Sequence, residues 1–393
     1  MIFFLFLGAV SSCQAQSLII LNSILKVHNI TYTSRSSISS PYLFSPLFLG
    51  IPTSQTNFIH LKDMHFTKVS QSVFYGNFKS VLIKDSSFRQ MAKPIHIEST
   101  EYFKDRILDR VTYSSTTISL INTLFEALQS NSKGGAFYSI NCQVDFSHCL
   151  FSENRAPNGA SIALENCHAK ILFTNFSHNF AEIDAAVLYS EKSEVVFHKC
   201  TIRDCKSEKS SGSIFSQESK LTLNQCIFFQ NYAEDTAGVL TLNNSILSSK
   251  DCFFMNNECK LLNSGSVASV LNSSCLYEHT SFDQNKNGIE KKPENLFSVD
   301  DRSNLTIISS SCVSNPNLKA GNYGNIVYDT STLFPGNCPR EDPTIPEIQE
   351  EFRAFIEVKS AIRSKGFIVS IILLIAVSIL VFTSLPFLVV EID

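Results

Sequence analysis

Three six-residue stretches, CLFSEN from Cys149, CIFFQN from Cys226 and CFFMNN from Cys252, carry nearly the same spelling. They are rungs of a longer ladder. An aromatic or aliphatic residue recurs at Phe125, Phe151, Phe176, Ile202, Phe228, Phe254 and Phe282, at intervals of 25 to 28 residues. Three residues later stand Leu128, Asn154, Asn179, Cys205, Asn231, Asn257 and Asn285; two residues earlier stand Thr123, Cys149, Thr174, Cys200, Cys226, Cys252 and Thr280. A fixed period of this length means one supersecondary unit stacked on copies of itself, which excludes most globular folds at once.

The unit is made of strands. Upstream of each hexapeptide the apolar residues alternate, as in Val144 and Phe146, Val195 and Phe197, and Leu221 and Leu223. Period 2 marks a strand with one buried face. A second short strand follows about ten residues after each Phe, usually opened by Gly or Ala: GGAFYSI from Gly134, GASIAL from Gly159, AAVLYS from Ala185, GSIFS from Gly212, GVLTL from Gly238 and GSVASVL from Gly265. No 3.6-residue pattern competes with this one. Two or three short strands per period describe one coil of an all-β parallel β-helix.

Stacking turns each repeat position into a column with a spacing of about 4.8 Å. Phe125, Phe151, Phe176, Phe228, Phe254 and Phe282 are expected to form an interior column. Asn154, Asn179, Asn231, Asn257 and Asn285 are expected at a common turn, bonding along the stack and taking up the left-handed backbone there. Cys205 interrupts that row. The FTKV at Phe66 and FRQM at Phe88 read as degenerate earlier coils, and CVSNPN at Cys312 as a late one.

The five F-x-x-N copies (Phe151/Asn154, Phe176/Asn179, Phe228/Asn231, Phe254/Asn257, Phe282/Asn285), with GGAF at Gly134–Phe137, resemble the repeats of the polymorphic membrane protein family of chlamydial surface adhesins. The resemblance spans roughly residues 118 to 290. It implies a right-handed parallel β-helix displayed outside the cell, often adhesive. Bacterial members end in an outer-membrane β-barrel. Here a single apolar stretch takes that place, which points to a eukaryotic single-pass protein.

Both ends carry targeting signals. Residues 1–15 have the form of a secretory signal peptide, with an apolar core from Ile2 to Val10 and small residues at the cut, although no basic residue precedes the core. The VSSC ending at Cys13 also matches a lipoprotein box, a weaker reading. Phe367 to Val390 is uncharged, and about 20 such residues span a bilayer. Lys359, Arg363 and Lys365 precede it and favour a cytoplasmic N-terminal flank. The leader argues the reverse and takes precedence, because translocated domains largely override the charge rule. Replacement of the segment by a lipid anchor is the alternative. Thr344 and Glu347 form a capping box, with Pro346 inside it, for a short amphipathic helix presenting Ile348, Phe352, Phe355 and Ile356. The expected organisation is therefore signal peptide 1–15, β-helix ectodomain 16–337, juxtamembrane linker and helix 338–366, span 367–390 and tail 391–393.

Chemistry-bearing residues are scattered. With 36 acidic and 32 basic residues the net charge is -4, and no basic block suits nucleic acid. The 32 Phe imply a sizeable apolar interior. Cys142 and Cys167 lie one coil apart, as do Cys200, Cys226 and Cys252. Each pair is a disulfide candidate at stacking distance, with a column of buried thiols as the equal alternative. No zinc spacing occurs, and His148 and His279 lie five coils apart. Glu153, Asp184, Asp204, Asp235, Asp251 and Glu258 fall at varied repeat positions and read as solvated turn charges. N-x-[ST] acceptor sequons occur at Asn29, Asn175, Asn243, Asn272 and Asn304. These readings lead to a membrane-anchored surface protein that binds a protein or glycan ligand without a cofactor. A tethered carbohydrate-active enzyme and an inert coat protein are the alternatives.

Overall fold

The computed structural model describes residues 19–21, 29–32, 36–39, 46–50, 58–99, 116–261, 264–288, 296–310 and 325–328. The chain divides into two compact units, Met1–Pro343 and Thr344–Asp393, and every described residue falls in the first. The expected signal peptide, juxtamembrane helix, membrane span, tail and Cys312 coil all lie outside the described residues. Among the described residues no helix is long and apolar enough to cross a membrane.

The described strands build a parallel β-solenoid. They form sheets of 11, 12, 10 and 6 strands, here sheets 1 to 4 in the order that a coil meets them. One coil runs through Leu188–Glu191 in sheet 1, Glu194–His198 in sheet 2, Thr201–Arg203 in sheet 3 and Lys206–Ser207 in sheet 4. The next coil repeats it in register, with Leu188 opposite Ile214, Val195 opposite Leu221 and Ile202 opposite Phe228. Sheet 4 begins at Arg155–Asn158, so the middle coils carry a short fourth strand beyond the expected two or three.

The interior is a set of columns. Ring centroids are 5.0 Å apart for Phe66–Phe88, 5.1 Å for Phe88–Phe125, 4.6 Å for Phe125–Phe151 and 5.0 Å for Phe151–Phe176. Ile202 breaks the aromatic run, which resumes with Phe228–Phe254 at 4.7 Å and Phe254–Phe282 at 5.4 Å. All of these side chains are buried. In-register strands place the rings at this distance, where near-parallel stacking is favourable.

Three of the connections in a coil, from sheet 1 to 2, 2 to 3 and 3 to 4, use the same device. A residue with positive φ is followed by an inward small or polar residue. Between sheets 1 and 2 the pairs include Asn166/Cys167, Lys192/Ser193, Glu218/Ser219, Asn244/Ser245 and Asn272/Ser273. Ser193, Ser219, Ser245 and Ser273 each accept a hydrogen bond from the ladder N–H one coil earlier, at 2.9 to 3.1 Å, and donate to the carbonyl two residues back. In the sequence this column appears as serines at 193, 219, 245 and 273, spaced by 26, 26 and 28 residues.

The asparagines stand at the turn between sheets 3 and 4. Asn179 Oδ1 accepts from both the backbone N–H and Nδ2 of Asn154, each at 3.0 Å. Asn179 Nδ2 in turn donates to the Phe151 carbonyl at 3.0 Å. The same triad links Asn231 with Asn257, and Asn257 with Asn285. At Cys205 the row weakens: Asn179 Nδ2 meets Cys205 Sγ at 3.8 Å instead of an amide oxygen. One expectation is corrected. The left-handed residues are those before the ladder, Glu153, His178, Gln230, Asn256 and Gln284, with φ of 51 to 57°. The ladder asparagines must face inward to bond along the stack, so the turn strain falls on the exposed neighbour.

Of the two alternatives for the stacked cysteines, the structure describes the thiol column. Cys142, Cys167, Cys200, Cys226 and Cys252 are all free thiols. Parallel in-register strands send neighbouring Cβ vectors in the same direction, whereas a disulfide needs them to converge. The thiols act as serine does. Cys142 Sγ donates to the Ile140 carbonyl at 3.1 Å, Cys167 Sγ to Glu165 at 3.2 Å and Cys252 Sγ to Lys250 at 3.2 Å. Burial pushes Cys149 and Cys205 up to about 12, which leaves them unreactive.

Two substitutions in the core should act with opposite sign. Phe228→Ala removes a ring stacked within 2° of Phe254 and should cost about 3–5 kcal/mol in chemical denaturation. Tyr277 is fully buried and its hydroxyl has no partner among the described residues, so Tyr277→Phe should gain about 1–2 kcal/mol. A loss on Tyr277→Phe would mean that the hydroxyl is satisfied.

Candidate functional site

Alternation along a strand sends every second residue outward. On sheet 1 the interior takes Ile95, Phe137, Ile162, Leu188 and Ile214. The outward neighbours, in register from coil to coil, are His96, Tyr138, Ala163, Tyr189 and Phe215, with Tyr75 before them. This is an aromatic row on the outer face, with a single small residue inside it. Two positions further along the same strands stand Glu98, Glu165 and Glu191, facing the same way.

The row is packed. His96 lies edge-on between Tyr75 at 4.7 Å and Tyr138 at 4.8 Å, and its Nε2 meets Glu98 Oε1 at 2.5 Å. Tyr189 stacks on Phe215 at 5.3 Å. Ala163 leaves an opening between Tyr138 and Tyr189, which lie two coils apart, or about 9.6 Å. Lys133 enters this opening. Its ammonium donates to Glu165 Oε1 at 2.8 Å, lies 3.5 Å from Glu191 Oε2 and sits 4.5 Å from the Tyr189 ring centre. A second lysine, Lys93, donates to Ser132 Oγ at 3.0 Å and lies 4.4 Å from the Tyr138 ring centre. Lys93 also lines a cavity of about 640 Å³ with Gln90, Gln129 and Asn131.

Proton affinities are perturbed along this face. Burial lowers Lys93 to about 8, against the opposing pull of Glu98 and Glu165. Burial lowers His96 despite its bond to Glu98. It also raises Tyr138, and Glu165, which hydrogen-bonds that hydroxyl, adds to the effect. For Lys133, burial works against the charge, but the Glu165 bond and the surrounding carboxylates raise it overall. Carboxylates, lysines and aromatic rings on one half-buried face form an arrangement suited to binding a polar ligand.

The other singled-out residues lie elsewhere. Glu153, Asp204, Asp251, His148 and His279 occupy left-handed turn positions. Burial raises Asp184, against the opposing pull of its Ser210 hydrogen bond and of Lys209. Among the described residues no group of three His, Cys, Asp or Glu could hold a metal. Of the sequons, Asn272 and Asn304 are exposed, Asn175 and Asn243 are half-buried, and Asn29 opens the strand Asn29–Tyr32. The hydroxyl of the Asn243 sequon, Ser245, is bonded inside the serine column. The sheet 1 face itself was missed at the level of sequence. Its signal was an aromatic residue at the same outward position of the quoted second strands, Tyr138, Tyr189 and Phe215, with Glu165 and Glu191 one period apart.

Comparison with known proteins agrees with the architecture. The sequence model of the family described as right handed beta helix region matches residues 49–247, about half of the chain. No curated protein and no solved structure matches it.

The lowered Lys93 predicts a signed pH effect. Between about 8 and 10.5 the unfolded chain holds the Lys93 proton more tightly, so this group makes stability rise with pH across that window. Lys93→Met should therefore raise the melting temperature at pH 7, and the gain should shrink as the pH approaches 10.5. A gain that stays constant over that range would contradict the burial of this ammonium.

Proposed function

The chain belongs to the right-handed β-helix family, and from that premise we propose that it is a cell-surface interaction protein whose sheet 1 face takes a protein or glycan ligand. The observation that carries the reading is the outward row Tyr75, His96, Tyr138, Tyr189 and Phe215 flanked by Glu98, Glu165 and Glu191. Aromatic side chains on an outer face, with carboxylates and lysines beside them, supply contact area and orientation without a cofactor. The likeness to polymorphic membrane protein repeats, the leader at 1–15 and the uncharged stretch 367–390 support display outside the cell on a single anchor. The sequons at Asn272 and Asn304 suit a lumenal passage, being exposed.

A second reading, a tethered carbohydrate-active enzyme, is favoured by one observation. Lys93, lowered to about 8, stands near Glu98 and Glu165 at the lip of a cavity, as an acid–base group would. The two readings part on turnover. In a protein and glycan binding screen with the full chain, the joint variant Tyr138→Ala, Tyr189→Ala should weaken the selected ligand by about tenfold or more, and the ligand should be recovered intact. Shortened saccharide products that vanish with Lys93→Met would favour the enzyme.

Topology is tested separately. In a glycosylating cell the protein should lose mass on deglycosylation, stay in carbonate-washed membranes, and enter the medium when 367–393 is deleted. An unglycosylated β-helix facing the cytosol would overturn surface display.

A further inference from the structure

We infer that the opening between Tyr138 and Tyr189 is an ammonium cage for a lysine side chain of a partner polypeptide, and that Lys133 fills it as the chain's own stand-in. The inference rests on the reading of sheet 1 as the ligand face.

The opening exists because Ala163 stands where the row otherwise carries a ring. Its floor is fully buried, and its walls are two tyrosines held in register by the ladder. Glu165 and Glu191 close one side. The Tyr189 ring and the carboxylates together favour a cation, since the ring attracts it through its face and the carboxylates through charge. Two carboxylates face one ammonium here, so the site still carries negative charge with Lys133 in place.

The occupant differs in kind from the walls. Tyr138, Ala163, Glu165, Tyr189 and Glu191 all belong to strands of sheet 1. Lys133 comes from the turn before its strand, next to exposed Asn131 and Ser132, and is followed by Gly134 at φ +73°. The cage is thus part of the scaffold and its plug is not. The plug also shows what fits: a single alkylammonium chain, with its ammonium over the Tyr189 ring and bonded to Glu165. A partner's lysine presents the same atoms. Matching charge and shape commit the site to a polypeptide lysine. An ordinary structural ion pair is the plain alternative, and a half-exposed pair of that kind adds little stability.

The two accounts differ in sign. If Lys133 competes with a ligand, its removal tightens binding by the inverse of the fraction of time the cage stands open. A Lys133 occupancy of about nine-tenths would correspond to about tenfold tighter binding on its removal. The test uses the full-length chain in detergent micelles and the blocked peptide acetyl-Gly-Lys-Gly-amide, followed by saturation-transfer NMR. The peptide should bind, its affinity should rise about tenfold in Lys133→Ala, and binding should be lost in Glu165→Gln. The same peptide acetylated on its side-chain nitrogen should not bind. The cage is overturned if Lys133→Ala binds the peptide no more tightly than the natural chain, or if the acetylated peptide binds equally well. It is also overturned if a glucosamine oligomer binds where the lysine peptide does not. A null result with these probes, while Tyr138→Ala with Tyr189→Ala still abolishes binding of the screened ligand, sinks the cage and leaves the ligand face standing. A positive cage, with ligand binding indifferent to those tyrosines, does the reverse.

Discussion

Each coil must turn between sheets while its backbone polar groups, away from water, find partners on the neighbouring coils, and the rest of the structure depends on how those turns are satisfied. Unpaired buried amides cost about 1–3 kcal/mol each, so a solenoid of many coils cannot leave one per turn unmet. The chain answers with inward Ser, Cys, Thr or Asn immediately after a left-handed residue. The asparagine column does most. Within it, one amide oxygen takes two donors from the coil before, and the amide nitrogen serves two acceptors. Because these bonds run from coil to coil, they fix the register of the stack as well as the turn.

Register then decides what the surface offers. Strands that match residue for residue turn an outward position into a straight row. On sheet 1 that row is aromatic from Tyr75 to Phe215 except at Ala163, which becomes a gap of defined width. The glutamates at 165 and 191 meet there because the period of the repeat places them there, and Lys133 reaches them from the turn before its strand. The ligand face and the interior are therefore two readings of one repeat. A slip in register by one residue would exchange them.

Much of this was legible in the sequence. The period, the strand alternation and the Phe and Asn columns follow directly from spacing, and Phe66 and Phe88 extend the aromatic column as their spelling suggests. Three things did not follow. The left-handed residue precedes the asparagine, since spacing alone cannot say which of two neighbours points inward. The stacked cysteines are free, because column distance permits a disulfide but the direction of parallel Cβ atoms does not. The face on sheet 1 went unread because Lys93 and Lys133 come from turns of differing length, so no fixed spacing ties them to the carboxylates that they meet.

The central claim is that amide-to-amide bonding along the turn column holds successive coils in register. Cys205 is the one interruption between Asn179 and Asn231, and replacing it tests the claim most directly. Cys205→Asn gives Asn179 Nδ2 an oxygen in place of a sulfur now 3.8 Å away. It should raise the unfolding free energy in a urea titration by about 1–2 kcal/mol, as about one or two added buried hydrogen bonds would. A drop in stability, with the coil spacing unchanged, would show that the column tolerates the asparagines rather than depending on them.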